Sequence, residues 1–304
     1  VEHLNEAQDY LMVRRVAGTD VTVLLGGETG SGKGRLARRI HQLSARSGGS
    51  MVSVDCTSIP DSLFESQLFG VKKGAFTGAD ADRLGLIRSA HGGTLFLDEI
   101  GELTLDQQAK FLTFLQERSV LPVGSTERVN VDVRIIGATH RDLGSMVERG
   151  DFREDLYFRL CVIEMSVAPL RERLDELESI VEELIEQRAA ILHVEPRSPC
   201  DAYLACLLEH DWPGNVRELG NVIERSLVLS QGAHLDPETL PPRMRSAIAR
   251  RARADRSATP CASSIRSAIT ESDGNKSAAA RRLGISRRHL YRLMDAESLE
   301  SVAG

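Results

Sequence analysis

The sequence predicts an α/β chain: a mostly parallel sheet with helices on both faces, then helices alone, then a small all-helical C-terminal domain. Three observations lead there. Apolar, β-branched runs alternate with amphipathic stretches through roughly the first half of the chain, the pattern of a parallel sheet with crossover helices. A glycine-rich segment with a lysine, GETGSGKG (27–34), sits between the first such run and the first amphipathic stretch. Strand-like runs stop after APLRERLDEL (168–177).

In chain order, DVTVLL (20–25) is rich in β-branched residues and ends in glycines, so it reads as a buried strand. GRLARRIHQLSAR (34–46) follows as a basic amphipathic helix. MVSVDC (51–56) and GTLFLDEI (93–100) read as the second and third strands, and VDVRIIGAT (131–139) as a fourth. Between the last two, LDQQAKFLTFLQER (105–118) carries apolar residues at helical spacing. Residues 170–240 read as helices only. PPRMRSAIARRARADRSATPCASS (241–264) is rich in Pro, Arg, Ala and Ser and has few apolar anchors, which marks a linker. Helical periodicity returns beyond it. The predicted divisions are 1–169, 170–240, 241–262 and 263–304.

Composition narrows the class. The 304 residues are 41% hydrophobic and 27% charged, ordinary for a globular protein, and no apolar run is long enough to span a bilayer. The start, VEHLNEAQDY, has neither a basic n-region nor an apolar h-region, so nothing in it suggests export. Five scattered cysteines without C-x-x-C spacing fit the reducing cytoplasm better than a disulfide framework. The net charge of −6 is uneven: residues 241–304 hold 13 Lys and Arg against 6 Asp and Glu, leaving an acidic body. Such a tail suits an anionic polymer, or a solvated linker; charge alone does not decide.

The segment of Gly27, Glu28, Thr29, Gly30, Ser31, Gly32, Lys33 and Gly34 satisfies the G-x-x-x-x-G-K core of a phosphate-binding loop. Its glycines let backbone N–H groups curl around phosphates, the next helix points its positive end at them, and Lys33 reaches the terminal phosphates. The usual magnesium-binding Ser or Thr after the lysine is Gly34 here. Magnesium would then be held through water, the phosphates and acids elsewhere. TLFLDE delivers Asp98 and Glu99 at the C-terminal end of an apolar strand, where α/β folds bind ligands. There Asp98 would orient the metal and Glu99 would polarise the attacking water. The same pair also suits a surface helix N-terminus.

KKGAFTGAD (72–80) has too little apolar bulk to anchor a core and nothing that ligates a metal. Its central GAFTGA, residues Gly74, Ala75, Phe76, Thr77, Gly78 and Ala79, matches the signature hexapeptide of the bacterial enhancer-binding proteins, the AAA+ activators of sigma-54 RNA polymerase. ESQLFGVKKGAFTGAD, GGTLFLDEIGEL, FREDLYFRL, PLRER and WPGNVRELGNVIERS resemble that family in order and spacing, over nearly the whole chain.

The resemblance implies an AAA+ P-loop NTPase core with a helical lid, ATP and Mg2+ as cofactors, and ATP hydrolysis driving the loop against sigma-54. Phe76 would supply an apolar contact and Thr77 a hydroxyl. Arg153 and Arg159 align with the arginine fingers that act on a neighbouring subunit's nucleotide, which implies a ring, a hexamer. Arg217 aligns with the lid arginine that senses the γ-phosphate, and Thr139 with part of sensor I. The tail resembles the family's Fis-type helix-turn-helix, implying binding to an upstream site on double-stranded DNA. Ser286 would be the N-cap of the recognition helix, Arg287, Arg288 and His289 would meet bases and phosphates, and Arg281 and Arg282 the DNA backbone. Lys276, Tyr291 and Arg292 complete the expected DNA contacts. No membrane partner is expected, and the cytoplasm is the implied location.

The chain departs from the family pattern in places. Asp55 stands where an asparagine usually restrains the catalytic glutamate; facing Glu99, it would repel it or share a proton. His140 replaces the sensor I asparagine, and Gly34 the usual glutamate. Val71 and Lys72 replace a common His-Glu, and Thr113 a common arginine. These changes leave an alternative open: a nucleotide-responsive DNA-binding regulator with weak or no hydrolysis. Only about 25 residues precede the phosphate loop, without a receiver or other sensory domain, so the chain is expected to be controlled in trans or to be truncated.

Overall fold

The computed structural model describes residues 6–76, 80–230, 232, 234–245 and, beyond these, 272, 276, 279 and 290. The chain forms two compact units, one of 1–184 with 211–223, the other of 185–210 with 224–304.

In the first unit α1 (Glu6–Ala17) leads into β1 (Val23–Gly26), α2 (Lys33–Gln42) and β2 (Met51–Asp55). Then come α3 (Asp61–Leu68), the short β3 (Gly70–Val71) and β4 (Arg83–Leu84), and α4 (Leu86–Ser89). β5 (Thr94–Asp98), α5 (Leu105–Glu117), β6 (Ser119–Val120), β7 (Val129–Asn130) and β8 (Arg134–Thr139) follow. α6 (Leu143–Arg149), α7 (Glu154–Leu160), β9 (Ile163–Ser166) and the start of α8 (Leu177–Leu192) complete the run. The main sheet is parallel, in the order β2-β5-β8-β1-β9.

The sheet is apolar on both faces because its central strands alternate between two cores. Leu24, Leu95, Leu97 and Ile135 pack with Phe64, Leu68, Phe111 and Phe114. Val23, Leu25, Phe96, Ile136 and Ala138 pack with Ala37 and Ile40 of α2 and Val13, Val16 and Ala17 of α1. This near-continuous apolarity is what a doubly covered parallel strand requires. α5 starts at a capping box: Thr104 Oγ1 accepts from the Gln107 N–H while Gln107 Oε1 accepts from the Thr104 N–H. It ends where Arg118 turns left-handed, φ 52°.

Two expectations are corrected. β9 was not expected as a strand: its alternating exposure, with Glu164 and Ser166 outward, fits an edge strand, and among the described residues it pairs only with β1. The stretch 170–240 is not helical throughout either.

In the second unit β10 (Ser198–Pro199) pairs in parallel with β11 (His234–Leu235), beside α9 (Asp201–Leu208) and the end of α10 (Asn215–Leu229). Two-residue strands leave no periodicity to read. Arg197 ties this unit together by donating to the carbonyls of Leu227 and Ser230, at 3.0 and 2.6 Å. The Tyr203 hydroxyl, buried, donates to Ser226 Oγ at 2.9 Å.

Candidate nucleotide site

The site lies at the C-terminal end of the sheet, where β1 gives way to the loop 27–32 and then α2. Gly27, Gly30 and Gly32 take φ of 144°, 78° and 110°, a left-handed path that only glycine follows cheaply. A Cβ on Gly27 would lie 2.6 Å from the Val167 carbonyl oxygen, so the loop is packed as well as bent. Gly32 is the N-cap of α2 and offers no side-chain cap, which leaves the first N–H groups of the helix to an anion. Ser31 is fully buried, and its Oγ has no hydrogen-bond partner among the described residues. Lys33, also buried, donates from Nζ to the carbonyls of Gly27 at 2.8 Å and Glu28 at 3.2 Å. Convergent donors, an unpartnered buried hydroxyl and an uncapped ten-residue helix fit a polyphosphate.

β5 brings Asp98 and Glu99 to the same end. Glu99 Oε1 stands 3.6 Å from Lys33 Nζ. The other oxygen, Oε2, accepts from His140 Nδ1 at 2.6 Å and from the His140 backbone N–H at 3.1 Å. Burial pushes the Glu99 carboxyl up, but these two hydrogen bonds and the Lys33 charge outweigh it and hold it below its ordinary value. Asp98 goes the other way: burial, then the charge of Glu99, raise it despite Lys33. Among the described residues no group of three or more His, Cys, Asp or Glu side chains could hold a metal alone. A magnesium ion here would take Asp98 and complete its shell with phosphate and water. Gly34 adds no ligand.

Among the described residues the side-chain hydrogen bonds of Asp55 go to Thr57 and none goes to Glu99. Asp55 sits beside Asp98 in the β2–β5 register, and its Oδ1 accepts from the N–H and hydroxyl of Thr57, at 2.9 and 2.7 Å. Thr139 is buried at the end of β8, level with Gly26 of β1, and its Oγ1 accepts from the Arg141 N–H at 3.0 Å.

Arg217 is exposed in the first turn of α10, yet the root of its side chain lies close to the phosphate loop: a Cβ on Gly30 would come within 3.0 Å of Arg217 Cβ and 3.5 Å of its backbone N. Sequence reasoning missed what holds that approach. Asn215, fully buried at φ 51°, donates to Glu28 Oε2 at 3.0 Å and to the Thr29 carbonyl at 3.2 Å. It also accepts from the Leu170 N–H at 2.8 Å. Arg171 adds a bidentate pair to Glu28, at 3.0 and 2.7 Å, and the Val216 N–H donates to the Gly30 carbonyl at 3.0 Å. Arg171 stands in PLRER and Asn215 in WPGNVREL, two segments already singled out in the sequence.

Arg153 and Arg159 are not part of this cluster. Both are exposed on or beside α7, and Arg153 pairs with Asp155 in a bidentate contact at 3.1 and 2.8 Å. The hexapeptide begins at the surface: Phe76 is 49% exposed, Gly74 has φ 82°, and Ala75 lies against Gly124. Asp82 clamps the stem through Lys72 Nζ and the Lys73 N–H. Thr77, Gly78 and Ala79 lie outside the described residues, as do Arg281, Arg282, Ser286, Arg287, Arg288, His289, Tyr291 and Arg292. Lys276 is helical and partly exposed. No helix among the described residues is long and apolar enough to cross a membrane.

Comparison with known proteins agrees with this arrangement. The Sigma-54 interaction domain model matches residues 3–166, the AAA+ ATPase lid domain model 171–257, and the Fis family model of bacterial regulatory proteins 263–296. The chain is 39% identical over 300 residues to the regulatory protein AtoC of Escherichia coli, covering 92% of this chain and 64% of that protein. It is 42% identical over 285 residues to the transcriptional regulatory protein ZraR of Klebsiella oxytoca, covering 90% and 63%. It thus spans a little under two thirds of the length of these relatives. The crystal structure of NtrX from Brucella abortus in complex with ATP superposes with a TM-score of 0.70 at 32% identity, over 97% of this chain and 68% of that one. With a parallel sheet, a phosphate loop and these three contiguous matches, the chain belongs to the family of sigma-54-interacting AAA+ regulators with a Fis-type helix-turn-helix.

Proposed function

We propose that this protein is an ATP-hydrolysing activator of sigma-54 RNA polymerase, bound to upstream DNA, which converts the closed promoter complex into an open one. The observation that carries the reading is the meeting of Lys33, the uncapped start of α2, Asp98 and Glu99 at one sheet end. Family membership and the GAFTGA loop connect that site to sigma-54. In this reading 1–169 is the ATPase core, 170–240 the lid, 241–262 the linker and 263–304 the DNA reader, and the protein works in the cytoplasm.

The chain's own residues divide the work. The α2 N-terminus, the loop N–H groups and Lys33 bind the phosphates of ATP. Asp98 would hold Mg2+, which neutralises developing phosphate charge when bound. Glu99 orients and polarises the attacking water through the oxygen that faces Lys33. Arg153 and Arg159 leave Asp155 and solvent to serve the neighbouring subunit of a hexameric ring. Arg217, already against Gly30, senses the terminal phosphate. Phe76 and Thr77 press on sigma-54. Lys276, Arg281, Arg282, Arg287, Arg288, His289, Tyr291 and Arg292 contact DNA, with Ser286 starting the recognition helix.

The test is ATP-dependent open-complex formation by purified sigma-54 holoenzyme with this protein. Open complexes that need ATP and vanish with Lys33→Ala and Thr77→Ala are expected. ATP and DNA binding without open complexes would overturn this reading. It would favour a nucleotide-responsive DNA-binding regulator, the reading to which Asp55 and Gly34 point.

A further inference from the structure

We propose that His140 is a positioning residue for Glu99, one that turns a single oxygen of that carboxylate toward the phosphate site. The inference rests on Glu99 being the water-polarising base of the ATPase read above. His140 approaches one oxygen twice, from Nδ1 at 2.6 Å and from its backbone N–H at 3.1 Å, and leaves the other facing Lys33 Nζ at 3.6 Å. An ionised carboxylate only accepts, so the ring must carry its proton on Nδ1.

The surroundings explain why position 140 takes this task. Glu99 has φ 55°, a left-handed conformation that costs an L-residue about 1–2 kcal/mol and persists where neighbours over-determine it. Its own backbone N–H is taken by Asp98 Oδ1 at 3.1 Å. Asp55 Oδ1 is engaged by the N–H and hydroxyl of Thr57 and makes no hydrogen bond to Glu99. Among the described residues His140 is therefore the side-chain hydrogen-bond donor to Glu99 Oε2, set at the end of β8, the strand beside β5. Asparagine Nδ2 stands as many bonds from Cα as histidine Nδ1, so asparagine could donate from the same place.

The experiment compares wild type, His140→Ala and His140→Asn in ATP hydrolysis and ATP binding, with the imidazole tautomer read by 15N NMR in histidine-labelled protein. His140→Ala should lower kcat about tenfold with KM for ATP nearly unchanged, because a misdirected base affects the chemical step and not phosphate binding. His140→Asn should restore most of that loss. In wild type the His140 ring should be the Nδ1–H tautomer, and it should revert to Nε2–H in Glu99→Ala. Unchanged or raised kcat in His140→Ala, or no rescue by Asn, overturns the proposal. So does an Nε2–H ring in wild type, which is read without turnover. A wild type that binds ATP but does not hydrolyse it, with the ring still Nδ1–H and dependent on Glu99, sinks the ATPase reading and sustains the positioning contact.

Discussion

Asn215 donates its side-chain amide to the Glu28 carboxylate at 3.0 Å, joining the phosphate loop to the start of α10 across 187 positions of sequence. The same amide holds the Thr29 carbonyl, and its oxygen takes the Leu170 N–H. One buried side chain thus spans the loop, the segment after β9 and the helix that carries Arg217. Asn215→Ala leaves these partners unsatisfied, and we expect a loss of about 1–3 kcal/mol in chemical denaturation. Asn215→Gly should recover only the backbone share of that loss, since it relieves φ 51° and restores no hydrogen bond. Equal stability of wild type and Asn215→Ala would show that the contact does no structural work.

The Glu28 carboxyl is held down to about 2 from an ordinary 4.5, by Arg171 first and Asn215 second. A lowered folded-state value gives stability that is present above the unfolded value and lost as pH falls toward 2. Glu28→Gln should therefore cost most near neutral pH, and its difference from wild type should shrink between pH 4.5 and 2. Parallel denaturation series across that range test it; a difference independent of pH would rule it out. Arg171 and Glu28 are both partly exposed, so the effect will be modest and salt-sensitive.

Cys56 is buried, and its thiol is pushed up to about 12, by burial first and then by the charges of Asp55, Asp98 and Glu99. Almost no thiolate exists near neutral pH. Native protein exposed to iodoacetamide should leave Cys56 unmodified, and unfolding should expose it. Mass-spectrometric detection of rapid labelling in the folded state would contradict this.

Gly124 supports the loop stem: it has φ 79°, and a Cβ there would lie 2.5 Å from Ala75 Cβ. Gly124→Ala brings a backbone penalty of about 1 kcal/mol or more as well as the clash, enough for about a fivefold loss of the competent loop conformation. Open-complex yield should fall by that order while ATP turnover is largely kept. Equal losses in both would place the defect in the ATPase core instead.

Where chemistry is written contiguously, it could be read from the residues. The phosphate loop is eight consecutive residues between strand and helix, and Asp98 and Glu99 end an apolar strand. Helix and strand periodicity was legible at 20–25, 34–46, 51–56, 93–100, 105–118 and 131–139, whereas α1 and α3 were not read as helices. β9, β10 and β11 escaped because four residues with two outward polar side chains, or two residues alone, carry no period.

By itself the sequence determined the fold class, the order of the major elements, the phosphate loop and the family. These follow from propensity, patterning and local motifs, which act over a few residues at a time. Only the tertiary structure decided which distant groups meet. The sheet order β2-β5-β8-β1-β9 sets the end of β5 beside the end of β8, so His140, not Asp55, takes the free oxygen of Glu99. The chain after β9 and the start of α10 converge on the phosphate loop, so Arg171 and Asn215 both reach Glu28. The physical reason is one and the same. Side-chain hydrogen bonds extend about 3 Å, and which groups come that close across 41 or 187 positions is set by how the elements pack, which no local pattern records.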